Sequence, residues 1–117
     1  MNIVANVVIA IIACLHIGFL ILEMFLWTKP YGLKTFGMTQ ETAVASATLA
    51  ANQGLYNGFL AAGLVWGLIS GNPSIKIFFL ICVLVAGIYG GLTAKRSILY
   101  LQALPALIGI ILVLLFA

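Results

Sequence analysis

Four long apolar stretches, separated by short polar breaks, make up almost the whole chain, and this pattern constrains the fold more than any other feature. They cover about residues 3–27, 40–70, 74–93 and 97–116. Each can supply the roughly 20 helical residues that a bilayer core demands. Composition points the same way: of 117 residues, 65% are hydrophobic and 6% charged, and mean hydropathy is +1.30. A soluble domain carries about 25% charged residues, which cover its core with a polar shell. Five basic and two acidic side chains cannot form that shell, so most of this surface must face hydrocarbon. Helices follow rather than strands, because backbone groups in lipid have to be satisfied within the segment. No stretch shows the alternation, over about ten residues, of a barrel strand. The fold class read here is all-α: a four-helix transmembrane bundle forming one membrane domain over residues 1–117. The first stretch is read as a permanent helix and not a signal peptide, since it lacks a basic leader and a small-x-small cleavage site.

The breaks carry their own boundary signals. Pro30 disfavours the helical state of Lys29, so the first helix should end near Trp27. A loop is expected over residues 31–38. Thr39 has the character of an N-cap, with Glu41 in the first turn to answer the helix dipole. Gly71 is placed to end the second helix, and Asn72 to cap a third that begins at Pro73. Pro105, inside the fourth stretch, predicts a kink.

Orientation is read from Lys and Arg. The first and third breaks hold Lys29, Lys34, Lys95 and Arg96, while the second break and the ends hold only Lys76. That bias puts the first and third loops in the cytoplasm and both termini outside it. Trp27, Tyr31 and Tyr100 then fall near the inner interface. The basic residues form no separate face, so they report topology and no nucleic-acid partner is expected.

Polar side chains inside a bilayer are costly and normally face protein or a wet cavity. Here they are His16, Glu23, Asn52, Gln53, Asn57 and Gln102, with Tyr56 and Tyr89 as amphipathic companions. At about 1.5 Å of rise per residue, Glu23, Tyr89 and Gln102 lie roughly 9 Å from the nearest cytoplasmic cation. Asn52 to Asn57 lie about 12–20 Å in, and His16 about 20 Å. His16 and Glu23, seven apart, share one face of the first helix. On the second helix Asn52, Tyr56, Gln53 and Asn57 span an arc of roughly 140°. Beside it run Ala47, Ala50, Ala51, Gly54, Gly58, Ala61 and Ala62, a ridge that lets another helix approach closely.

Shared depth and shared face lead to one expectation: a polar pocket open to the cytoplasm, with Glu23 at its centre and His16 at its deep end. Its ligand-binding residues would be Glu23, His16, Asn52, Gln53, Tyr56, Asn57 and Gln102. The structural alternative is a set of hydrogen bonds that hold helices together, worth about 0.6 kcal/mol each on average. One His and one buried Glu fall short of the three or four ligands of a metal site. No phosphate loop, nucleophile elbow or dinucleotide fingerprint occurs, so no cofactor is expected. Cys14 and Cys82 lie at similar depths without redox spacing; small buried residues or a disulfide both fit.

Three segments together are specific enough to carry a resemblance: Leu22-Glu23-Met24-Phe25-Leu26-Trp27, residues 49–59 (LAANQGLYNGF), and Gln102-Ala103-Leu104-Pro105-Ala106. Over essentially its whole length the chain resembles a family of small bacterial membrane proteins, domain of unknown function 1304. The resemblance implies an inner-membrane location and names no activity. Three functional classes then fit the residues. The first is a transporter or binder of a small polar or cationic solute, with Glu23 as the charged site. Length, helix count and an acidic residue on the first helix are similar to the small multidrug exporters, although the Lys/Arg bias departs from their dual topology. The second is an intramembrane enzyme acting on a lipophilic substrate, with Glu23 and His16 as acid and base. The third is a non-catalytic assembly subunit. A homo-oligomer is expected from the glycine ridge, with the lipid bilayer as the surrounding partner.

Overall fold

The computed structural model describes residues 3–116, and they are almost entirely helical. In chain order the elements are α1 (Ile3–Met24), α2 (Pro30–Phe36), α3 (Gln40–Ser70), α4 (Pro73–Thr93), a π-helical turn (Leu99–Ala103) and α5 (Leu104–Phe116). The all-α reading holds. Three segments are long and apolar enough to cross a membrane: Ile3–Met24, Pro73–Thr93 and Leu99–Phe116. The longest helix, α3, has 31 residues. Asn52, Gln53 and Asn57 and its many small side chains make it less apolar than the other three. Large apolar side chains such as Val85 (61% exposed) and Leu92 (76% exposed) stand outward, which fits an apolar solvent better than water.

Two boundaries differ from the sequence reading. The first helix stops at Met24, not Trp27, and the expected loop over residues 31–38 is largely the helix α2. Pro30 occupies its first turn, where a missing N–H costs nothing, and Lys29 before it is extended. Gly37 ends it at φ 63°, and the N–H groups of Gly37 and Met38 both reach the Leu33 carbonyl. Pro30 and Gly37 were the available signal. At seven residues, with Gly32 and Thr35 inside, α2 has too little propensity to read as a helix from its own sequence.

The third difference concerns Pro105. A kink was expected, and the chain makes a π-helical turn just before the proline. Pro105 has no N–H to give, and its ring would crowd the carbonyl of Leu101 four residues back. The turn widens instead, so that the Leu104 N–H bonds the Leu99 carbonyl.

The chain divides into two compact units, Met1–Cys14 with Leu60–Ala117, and Leu15–Phe59. The first has the larger core. Ala5, Ile9, Ile12 and Ala13 recur at helical spacing on α1, and they are buried with Leu64, Leu80, Val83, Ala106 and Val113. The turn between α3 and α4 uses Gly71 (φ 66°) and Asn72, whose side chain accepts from the Ser74 N–H at 2.9 Å, as the sequence indicated. Gly87 brings α4 against the π-helical turn: a Cβ there would stand 2.7 Å from the Ala103 nitrogen. At one end of this unit the Lys76 ammonium donates to Asn6 Oδ1 at 2.8 Å.

In the second unit α3 begins with the expected cap, the Thr42 N–H donating to Thr39 Oγ1 at 3.1 Å. The Trp27 indole donates to Ser46 Oγ at 3.1 Å and packs on Phe36 with ring centroids 4.9 Å apart. Gly32 is buried against the main chain of Leu26 and Trp27. These contacts hold α2 against the turn that follows α1, and Trp27 ties that turn to α3.

Candidate functional site

One short bond joins two of the expected polar residues of the second unit. Asn57 Nδ2 donates to Glu23 Oε1 at 2.5 Å. Glu23 sits in the last turn of α1 and is half-buried, while Asn57 faces inward at 6% exposure. Small residues make this meeting possible. A Cβ on Gly54 would lie 2.7 Å from Met24 Cγ, 3.1 Å from Glu23 Cβ and 3.3 Å from the Leu20 carbonyl oxygen. A Cβ on Gly58 would lie 2.7 Å from Leu20 Cδ1. The glycine ridge is therefore occupied within the chain by α1, and it is not left open for a second copy.

Ala43, Ala47, Ala50, Gly54 and Asn57 form one seam on α3, in steps of four, three, four and three, and this seam is turned inward. Asn57 is thus the one polar member of an apolar packing face. A carboxylate accepts several hydrogen bonds, and a neutral amide leaves its charge in place. Among the described residues Glu23 has Asn57 as a partner and no cation, so its second oxygen can still receive a donor or a positive charge.

The other expected site residues divide. His16 is on the same face of α1, two turns from Glu23, about 10 Å along the axis. It is 1% exposed, with its ring edge-on to Phe19 at 5.3 Å. Asn52, Gln53 and Tyr56 are all exposed. About 100° per residue puts Tyr56 about 100° and Asn52 about 140° round α3 from Asn57. The polar arc is thus split, with Asn57 inward at one edge and the rest outward. Gln102 belongs to the first unit, in the π-helical turn, where its amide Nε2 donates to the Val83 carbonyl at 3.2 Å. Cys14 and Cys82 are both free thiols.

Sequence reasoning missed the Trp27–Ser46 and Lys76–Asn6 bonds. In each, one partner lies at a helix end and the other on a different helix, so no local spacing announces the pair. It also missed Gly87-x-x-x-Gly91 on α4, which carries the same small-residue signal as Gly54-x-x-x-Gly58.

Comparison with known proteins gives a family and no activity. The uncharacterized protein YpaA of Lactococcus lactis subsp. lactis (strain IL1403) is 26% identical over 113 residues, covering 92% of this chain and 95% of its own. No solved structure matches. A family profile described as protein of unknown function (DUF1304) matches residues 10–114, nearly the whole chain, and the chain belongs to that family.

Proposed function

We propose that this chain is a four-span protein of the bacterial inner membrane that binds a small cationic solute at Glu23, for transport or retention, from the cytoplasmic side. The single observation that carries the reading is the Asn57–Glu23 bond. A carboxylate near the end of a membrane-length helix is expensive to keep unless it has a task. Its partner here is a neutral amide that orients it without cancelling its charge.

Three helices meet the requirements of a span. The fourth would be α3, whose 31 residues extend about 46 Å against a core of about 30 Å. Residues 51–70 contain no charged side chain. The first turns of α3 would then project into the cytoplasm, with Trp27 and α2 at the interface. Lys29, Lys34, Lys95 and Arg96 would share the inner side, and both termini would lie outside. In this setting Glu23 and Asn57 stand just within the inner boundary, within reach of a solute from the cytoplasm. One carboxylate and one amide are too few ligands for a divalent ion, and a single charge matches a monocation.

Purified protein in micelles should bind small tetraalkylammonium ions, read by Trp27 and Trp66 fluorescence or by calorimetry. Glu23→Gln keeps an acceptor for Asn57 but removes the charge, so affinity should fall by about tenfold or more, a loss of about 1.4 kcal/mol. Equal affinity in the folded variant would end this reading.

A further inference from the structure

We infer that the solute held at Glu23 is an alkylammonium ion that still carries N–H groups, a protonated primary or secondary amine, and that it lies between two acceptors, Glu23 Oε2 and Asn57 Oδ1. This rests on the reading of Glu23 as a cation site and names the class of cation. The 2.5 Å bond from Asn57 Nδ2 to Glu23 Oε1 fixes which end of the amide is which, because the reverse orientation would set two oxygens against each other. Asn57 therefore turns its donor side to the carboxylate, and among the described residues its carbonyl oxygen receives no donor. The same holds for Glu23 Oε2. Asn57 is only 6% exposed, yet neither oxygen is fully enclosed.

The end of α1 adds to the same polarity. Its last turn holds no basic residue. The Ile21 carbonyl takes the N–H groups of both Phe25 and Leu26, so among the described residues the Leu22 and Glu23 carbonyls receive no main-chain donor. They carry the partial negative charge of a helix C-terminus. Gly54 and Gly58, which α3 turns toward Leu20, Glu23 and Met24, bring no side chain that could donate.

Charge alone would accept any monocation, and the demand for donors narrows the choice. A protonated primary amine has three N–H groups and a secondary one has two, enough to reach both oxygens at once through charge-assisted bonds. A quaternary ammonium has none. It would be drawn to the carboxylate by charge, but its methyl groups would cover both oxygens and leave them unpaired. A bare metal ion would have to exchange its hydration shell for two side-chain oxygens, far fewer than the rings of oxygens that replace such a shell in a selective site.

Butylammonium, diethylammonium and tetramethylammonium test this, because they are isomers with the same charge that differ in N–H groups: three, two and none. With the full chain in micelles and calorimetry as the readout, butylammonium should bind about tenfold tighter than tetramethylammonium, the effect of one charge-assisted bond. Diethylammonium should fall between them, and sodium at the same concentration should compete with none of the three. Glu23→Gln puts an amide nitrogen, a donor, in place of Oε2. Butylammonium should then lose most, and the three affinities should converge. Asn57→Ala removes the second acceptor and should narrow the ratio to about threefold; if that variant does not fold, the isomer series on the wild-type chain decides. Equal affinity for the three isomers, competition by sodium, a preference that survives unchanged in Glu23→Gln, or a full ratio in folded Asn57→Ala would overturn the inference. The two readings fail separately. Isomers that bind alike and all weaken in Glu23→Gln leave a cation site with no demand for N–H groups, whereas isomers that bind equally well with and without the Glu23 charge remove the site itself.

Discussion

Gly32→Ala is expected to destabilise the protein by about 3 kcal/mol, the top of the usual range for overpacking, although it adds a single methyl group. The added Cβ would run into the Leu26 carbonyl oxygen, and it would stand 2.8 Å from the Leu26 carbonyl carbon and 3.0 Å from the Trp27 oxygen. All three are main-chain atoms, so no side chain can swing aside. Relief requires α2 to move away from the end of α1, and that movement would strain the Trp27–Ser46 bond and the Trp27–Phe36 contact. Gly18→Ala is the control of opposite sign. Nothing lies within 4 Å of a Cβ at Gly18, which is inside α1, so alanine there should add up to about 1 kcal/mol of helix propensity. Unfolding in detergent, followed by circular dichroism, reads both. Similar stabilities for the two variants would mean that α2 is not packed as described.

The second large effect concerns the pair at the site. Asn57→Leu should cost about 2–3 kcal/mol, because it leaves a half-buried carboxylate without its donor. Glu23→Gln should cost far less, since the Gln carbonyl still accepts from Asn57. The decisive variant is the double one. Glu23→Leu combined with Asn57→Leu removes both partners and should be more stable than Asn57→Leu alone, because two apolar side chains leave nothing unsatisfied. Double-mutant stabilities from detergent unfolding measure this coupling. If the two substitutions simply add, Glu23 and Asn57 do not depend on each other.

Most of the helical architecture is legible in the residues, because its causes are local. Thr39, Gly71, Asn72 and Pro73 act on their own neighbours, and the bounds of α3 and α4 follow from them. The Glu23–Asn57 pair could be anticipated from depth and cost, but not its geometry. What could not be read depends on which helix covers which face. Asn52, Tyr56, Gln53 and Asn57 form one continuous arc in a helical projection. The approach of α1 along Gly54 and Gly58 draws only its Asn57 edge inside. The same approach uses the glycine ridge that, from sequence, pointed to a second copy. At Pro105 the sequence indicates the fault in the helix but not how the chain resolves it; the wider turn keeps the Leu104 N–H bonded and gives Gln102 its position against Val83.

The solute site presupposes that the first and third connections lie on one side of the membrane and the second on the other. In a chain lacking Cys14 and Cys82, single cysteines at Thr35, Ala94 and Ser74, all exposed, report this with the Lys and Arg residues untouched. A membrane-impermeant maleimide applied to intact cells should label position 74 alone, and in inverted vesicles it should label 35 and 94 but not 74. Labelling of 35 and 94 from opposite sides would contradict the account.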